Sequence, residues 1–107
     1  MERYAFKLRI RPGAQAEYLR RHDRIWPEMA EALRRAGARN YSIFFDEDGE
    51  SLFAYLEAEP DVETYLRTIA ADPVNERWQE HMRDLLLTST TGETAPLPRL
   101  SLAFHLD

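Results

Sequence analysis

The 107-residue chain contains no cysteine. That absence excludes disulfide staples, thiolate nucleophiles and cysteine-ligated zinc. Glycine is scarce as well, with four residues too scattered to form a phosphate-cradling loop. Positive charge is in deficit: 14 Lys and Arg face 19 Asp and Glu, a formal net charge of −5. Nucleic acid is therefore not expected as a partner, because basic surface supplies much of that affinity. The early basic residues Lys7, Arg9, Arg11, Arg20, Arg21 and Arg24 are interspersed with acids and read as a solvated face. No apolar run is long enough to span a bilayer, and MERYAFKLRI lacks a secretory apolar core. No membrane partner is expected, and the expected location is cytoplasmic. His22 and His81 lack the HxxxH and HExxH spacings, so no metal site is expected. Ser42, Ser51 and Ser89 lack a nucleophile-elbow context.

What is present is enough apolar sequence, 44%, for one core and one domain over residues 1–107. Residues 4–10, YAFKLRI, alternate with Phe6, Leu8 and Ile10 on one side, the pattern of a half-buried strand. A helical pattern over 14–25 meets Pro27, which disfavours helical backbone at Trp26, so the helix breaks and restarts there. The restarted piece has Pro27 in its first turn and Gly37 as its C-cap. Strand-forming runs at 40–46 and 51–58 flank Asp48–Gly49, a hairpin signal. Asp61 is placed to cap a helix over 62–70. Asp72, followed by Pro73, is placed to cap another over 73–87, with Val74, Trp78, Met82 and Leu85 along one stripe. A polar loop, TSTTGETAPLP, leads to a last alternating strand, RLSLAFHL.

The order β-α-β-β-α-β, with each helical section in two pieces, predicts an α+β, ferredoxin-like fold with helices on one face of a four-stranded sheet. Phe44, Phe45 and Phe53 beside Leu52 and Leu56 make both faces of the hairpin apolar. A second subunit stacked on the open face would cover them, so a homodimer is expected.

Tyr18 and His22 stand four residues apart and share a helix face. Leu19 and Ile25 are the expected core anchors of that helix, and Trp26 lies two turns beyond Tyr18. Asn40 and Tyr41 open the second strand, and Trp78 sits on the stripe expected to face the sheet. Converging tryptophans, tyrosines and a histidine would line an aromatic pocket with a few polar tips. Such a pocket suits a carbohydrate, whose C–H faces stack on rings while its hydroxyls reach phenols and imidazole. His105, near the C-terminus, reads as structural.

The combination EYLRRHDRIWPEM, GARNYSIFFD, LFAYLEAE and ERWQEHM resembles the L-rhamnose mutarotase family from about Tyr4 to Met82. The resemblance implies a dimeric ferredoxin-like α/β barrel that interconverts α and β pyranose anomers of L-rhamnose without cofactor or metal. By resemblance, the family's proton donor falls on His22 and its sugar-contacting tyrosines on Tyr18 and Tyr41. A tryptophan pair of the family's last helix is matched here by Trp78–Gln79, one ring being replaced by an amide. Trp26 and Asn40 are then candidates for the pocket wall, and Asp23, Glu28 or water for the second proton transfer. The competing readings are a cofactor-free monooxygenase of similar dimeric fold and a non-catalytic sugar-binding or assembly module.

Overall fold

A computed structural model describes residues 1–87 and 99–107, so the polar bridge expected at 88–98 lies outside the described residues. Four strands, β1 (Glu2–Arg9), β2 (Ala38–Phe45), β3 (Ser51–Ala58) and β4 (Arg99–Leu100), form one sheet in the order β2-β3-β1-β4. All three pairings are antiparallel. Helices α1 (Gln15–Asp23) and α2 (Pro27–Ala36) connect β1 to β2. Helices α3 (Val62–Ala70) and α4 (Pro73–Met82) follow β3. This is the expected ferredoxin-like α+β topology.

Local chemistry accounts for most boundaries. Trp26 adopts φ −59° and ψ 133°, the extended backbone that Pro27 demands of its predecessor, and α2 starts at Pro27. Gly37 closes α2 at φ 110°, a left-handed conformation that side chains disfavour. A Cβ there would also lie 2.0 Å from the Glu59 carbonyl oxygen, so glycine is required twice over. Asp61 accepts the Thr64 N–H at 2.7 Å and Asp72 the Val74 N–H at 3.0 Å, the two expected caps. In the hairpin, the Asp48 carboxylate accepts the Glu50 and Ser51 N–H groups, each at 2.8 Å.

The core lies between the sheet and the helices. Tyr4, Phe6 and Leu8 of β1 meet Leu56, Ala54 and Leu52 of β3 across the ladder, and all six are buried. The expected stripe Val74, Trp78, Met82 and Leu85 is buried in full. The opposite face is mixed: Phe44 pairs with Phe53, while Lys7 lies over the Phe53 ring at 5.6 Å.

Several expectations need correcting. Leu19 is 48% exposed, and Tyr18 is the buried residue of α1. The helix is rotated so that Tyr18 and His22 turn inward, which carries Leu19, one position round, to solvent. Ile25 does pack against the core. The first strand starts earlier than expected and ends at Arg9, after which Ile10 bridges Leu86. The last helix stops at Met82 and tightens into a 3-10 turn, Arg83–Leu85, because the chain leaves to donate from Leu87 N–H to the Arg9 carbonyl. The final strand pairs over Arg99–Leu100 alone, and 101–107 lie exposed beyond it.

Candidate active site

The break before Pro27 divides the first helical section into a helix that carries polar rings and a helix that fills the core. Tyr18 and His22, one turn apart on α1, stack with centroids 4.3 Å apart and planes 22° from parallel. The Tyr18 ring also meets Phe45 of β2 edge-on at 5.8 Å. His22 in turn stands edge-on to Trp78 at 5.5 Å, so α1 and α4 touch through these rings. Trp26, turned inward by its extended backbone, packs edge-on against Trp78 at 5.1 Å. Tyr18, His22, Trp26 and Trp78 are thus brought together, as expected.

His22 Nδ1 lies 3.1 Å from the Tyr18 carbonyl oxygen. A carbonyl only accepts, so Nδ1 carries a proton and Nε2 is the nitrogen left to gain or lose one. Burial lowers the His22 pKa below its ordinary value, against the smaller opposing effects of the Tyr18 carbonyl and the Asp23 charge. The imidazolium, when formed, is therefore a stronger acid than an exposed one. Asp23 and Glu28 are both exposed, and Asp23 acts on His22 through its charge. Among the described residues no three His, Asp or Glu side chains converge to hold a metal ion.

Phenols line the adjoining space. Tyr18, Tyr65 and Tyr4 are buried, and Tyr41, 37% exposed, sits at the β2 bulge between Arg39 and Ser42. The Tyr41 hydroxyl is pushed well above its ordinary pKa, first by burial and then by the phenols of Tyr65, Tyr18 and Tyr4. All four phenols are raised by burial, so they stay protonated and act as neutral donors and acceptors.

Arg21, beside His22, fixes α1 to the end of α4. Its guanidinium donates to the His81 carbonyl at 2.7 Å and to both Asp84 carboxylate oxygens at 2.9 and 3.2 Å. Nε donates to Glu17 at 2.7 Å. That bidentate fork ties the helix carrying His22 to the end of the helix carrying Trp78.

Two sequence candidates sit elsewhere. Asn40 adopts φ 50° at the bulge and donates to Glu57 at 2.8 Å, on the face of the sheet away from the helices. The extra residue of the bulge turns Asn40 outward and leaves Tyr41 with the phenols. Gln79, one position round from Trp78, donates from its amide to Asn75 at 3.2 Å. It is not part of the ring cluster. The sequence reading missed His81, whose ring packs on Trp26 at 5.3 Å and Trp78 at 5.5 Å. Its i+3 spacing from Trp78 was the available signal. It also missed Tyr65, which sits at 62/65/69 spacing with Val62 and Ile69 and reads as core.

Comparison with known proteins shows the family. The sequence profile of L-rhamnose mutarotase matches residues 3–106. An L-rhamnose mutarotase of Leptothrix cholodnii is 43% identical over 99% of this chain and 97% of its own. One from Burkholderia orbicola is 44% identical with both chains fully covered. Among solved structures, an L-rhamnose mutarotase from Formosa agariphila superposes with TM-score 0.82 and 30% identity, covering all of both chains. The tetracenomycin F2 cyclase of Streptomyces glaucescens, 18% identical with TM-score 0.66, shares the fold alone. With the family model and its relatives covering nearly the whole chain, this chain belongs to the L-rhamnose mutarotase family.

Proposed function

We propose that the protein is an isomerase that interconverts the α and β pyranose anomers of L-rhamnose, with His22 as proton donor. The observation that carries this reading is His22 itself, stacked on Tyr18 and edge-on to Trp78 with Nδ1 committed to a carbonyl. Mutarotation needs a proton at the ring oxygen while the anomeric hydroxyl gives one up. Nε2–H of the imidazolium protonates the ring oxygen as the C1–O bond breaks, and the anomeric proton passes to water. The open aldehyde then rotates about C1–C2. Ring closure on the other aldehyde face returns the ring-oxygen proton to Nε2, and water restores the anomeric hydroxyl proton. Histidine is regenerated, and no redox partner enters. Positioned acid–base catalysis supplies roughly 10²–10⁴-fold, enough for a reaction that already proceeds in water.

Tyr18 and Tyr41 orient sugar hydroxyls, Trp78 stacks on the C–H face of the pyranose, and Trp26 forms the wall behind it. In this reading Gln79 also meets a sugar hydroxyl with its amide, beside its bond to Asn75. The monooxygenase and pure binding-module readings lose ground to the three named relatives that are L-rhamnose mutarotases. We place the protein in the cytoplasm, as a homodimer. Support for the dimer is the apolar surface that one chain leaves open: Phe44 is 61% exposed, Leu102 65%, Phe104 78% and Leu106 79%. Sedimentation at micromolar concentration should show twice the 12.6 kDa chain mass, and a 12.6 kDa species alone would refute the dimer.

Saturation transfer between the anomeric protons of L-rhamnose tests the activity directly, with L-fucose and D-glucose as comparisons. Faster exchange of L-rhamnose than of either comparison supports the reading. No acceleration of any of the three refutes it.

A further inference from the structure

Helix α3 packs over β1 and β3 and buries Val62, Tyr65 and Ile69 along one stripe. Phenylalanine would fill the middle position as well, since the neighbouring members of the stripe are purely apolar. The hydroxyl therefore needs a reason. Among the described residues no protein group hydrogen-bonds the Tyr65 phenol, and the same holds for Tyr4, Tyr18 and Tyr41. Yet none of the buried phenols is an orphan sealed from solvent, so their oxygens open on reachable space. An unpaired, largely desolvated hydroxyl lowers stability.

The topology gathers these groups. In the β1–β3 ladder Tyr4 lies opposite Leu56. The β2 bulge, with Arg39 opposite Glu57 and Ser42 opposite Tyr55, sets Tyr41 across from Leu56 on its other side. Tyr4 and Tyr41 therefore flank Leu56, beneath α3, and Tyr18 continues the group toward His22. The mutual electrostatic influence of Tyr41 with Tyr65, Tyr18 and Tyr4, and of Tyr65 with Tyr4, agrees with that placement. Each neutral phenol can donate one hydrogen bond and accept others, and so can each hydroxyl of a sugar. A guest with adjacent hydroxyls pairs them, whereas an apolar guest leaves them unpaired.

We propose that Tyr65 is a substrate-contacting residue, whose hydroxyl works with that of Tyr41 to bind neighbouring pyranose hydroxyls and select the hydroxyl pattern accepted. The inference deepens the mutarotase reading and rests on it for the choice of sugar. Its test is Tyr65→Phe, which removes one oxygen and keeps the ring. Because the lost hydroxyl has no partner among the described residues, the melting temperature should stay the same or rise. The kcat/KM for L-rhamnose exchange should fall about tenfold, the scale of one lost hydrogen bond. Discrimination between L-rhamnose and its 2-, 3- and 4-deoxy analogues should relax at one position and persist at the others. The proposal is overturned by kcat/KM within twofold of the parent with discrimination intact. It is equally overturned if activity falls only in step with a lowered melting temperature, the mark of a structural role. Calorimetric titration with L-rhamnose separates this failure from failure of the parent reading. Weakened binding in Tyr65→Phe upholds the contact even where the parent protein does not accelerate exchange. Unchanged binding, or no binding by the parent protein, rejects it.

Discussion

Helices α1 and α2 are neighbours of nearly equal length, nine and ten residues, separated only by the turn before Pro27. They are built for different purposes. α2 buries Met29, Ala32 and Ala36, so its position is set by apolar packing against the sheet. α1 buries Tyr18 alone and is held otherwise by the Arg21 fork and by Arg11, which donates to the Asp84 carbonyl at 3.0 Å. The helix that carries His22 is thus pinned by directional polar bonds, which fix orientation, and the helix beside it by burial, which supplies stability. A polar pin can hold an imidazole at a set angle to Trp78 without enclosing it, leaving Nε2 accessible.

Breaking α2 should cost the most stability. Met29 is 2% exposed, and Met29→Ala should lose about 2–5 kcal/mol in denaturant melts, through lost burial and the cavity left behind. Exchange activity per folded molecule should be retained, since Met29 does not enter the ring cluster. The chemistry of α1 should respond to pH instead. With the His22 pKa below its ordinary 6.5 or so, the donor form is a minority at neutrality. The enzyme-specific exchange rate, corrected for spontaneous mutarotation, should fall up to tenfold per pH unit above that pKa and level off below it. A rate that rises with pH through this range would make neutral Nε2 the active form and reverse the assigned role. The stability linkage has the opposite sense: because folding disfavours the imidazolium, stability contributed by His22 is lost as pH drops below about 6.5.

A smaller effect is expected from Arg21→Gln. Asp84 is largely exposed, so the stability loss should be about 1 kcal/mol. Exchange should fall further than that loss explains, mainly in kcat, with the His22 ring resonances shifted as its angle to Trp78 relaxes. A kcat unchanged within twofold would show that Tyr18 alone positions the helix. Least affected should be Leu19→Gln. Leu19 points to solvent, and the change should move the melt by no more than about 0.5 kcal/mol. A larger loss would place Leu19 against another surface, such as a second copy.

Local rules carried the sequence reading a long way. Pro27, Gly37, Asp61 and Asp72 each act within a few residues, and each bounds its helix as expected. The i, i+4 relation of Tyr18 and His22 is likewise local, and it appears as a stacked pair. What stayed hidden depends on tertiary placement. The apolar pattern of α1 does not say which way the helix rolls, and Tyr18 displaced Leu19 from the core. Tyr65 looks like any other stripe residue until its hydroxyl is found with no hydrogen-bond partner among the described residues. Asn40, a candidate for the wall, adjoins Tyr41 in sequence, but one extra residue in the ladder sends the two side chains to different faces. The tail beyond Leu100 alternates like a strand, yet one chain offers its Leu102, Phe104 and Leu106 no surface to cover.

The contrast between the two helices comes down to one side chain. Saturation transfer on L-rhamnose should compare the parent protein with His22→Ala at equal concentration of folded protein, with melting curves recorded alongside. A loss of about 10²–10⁴-fold in catalysed exchange, with the melt little changed, is the predicted result. Exchange at the parent rate in a folded His22→Ala variant would contradict it and move the proton donor elsewhere.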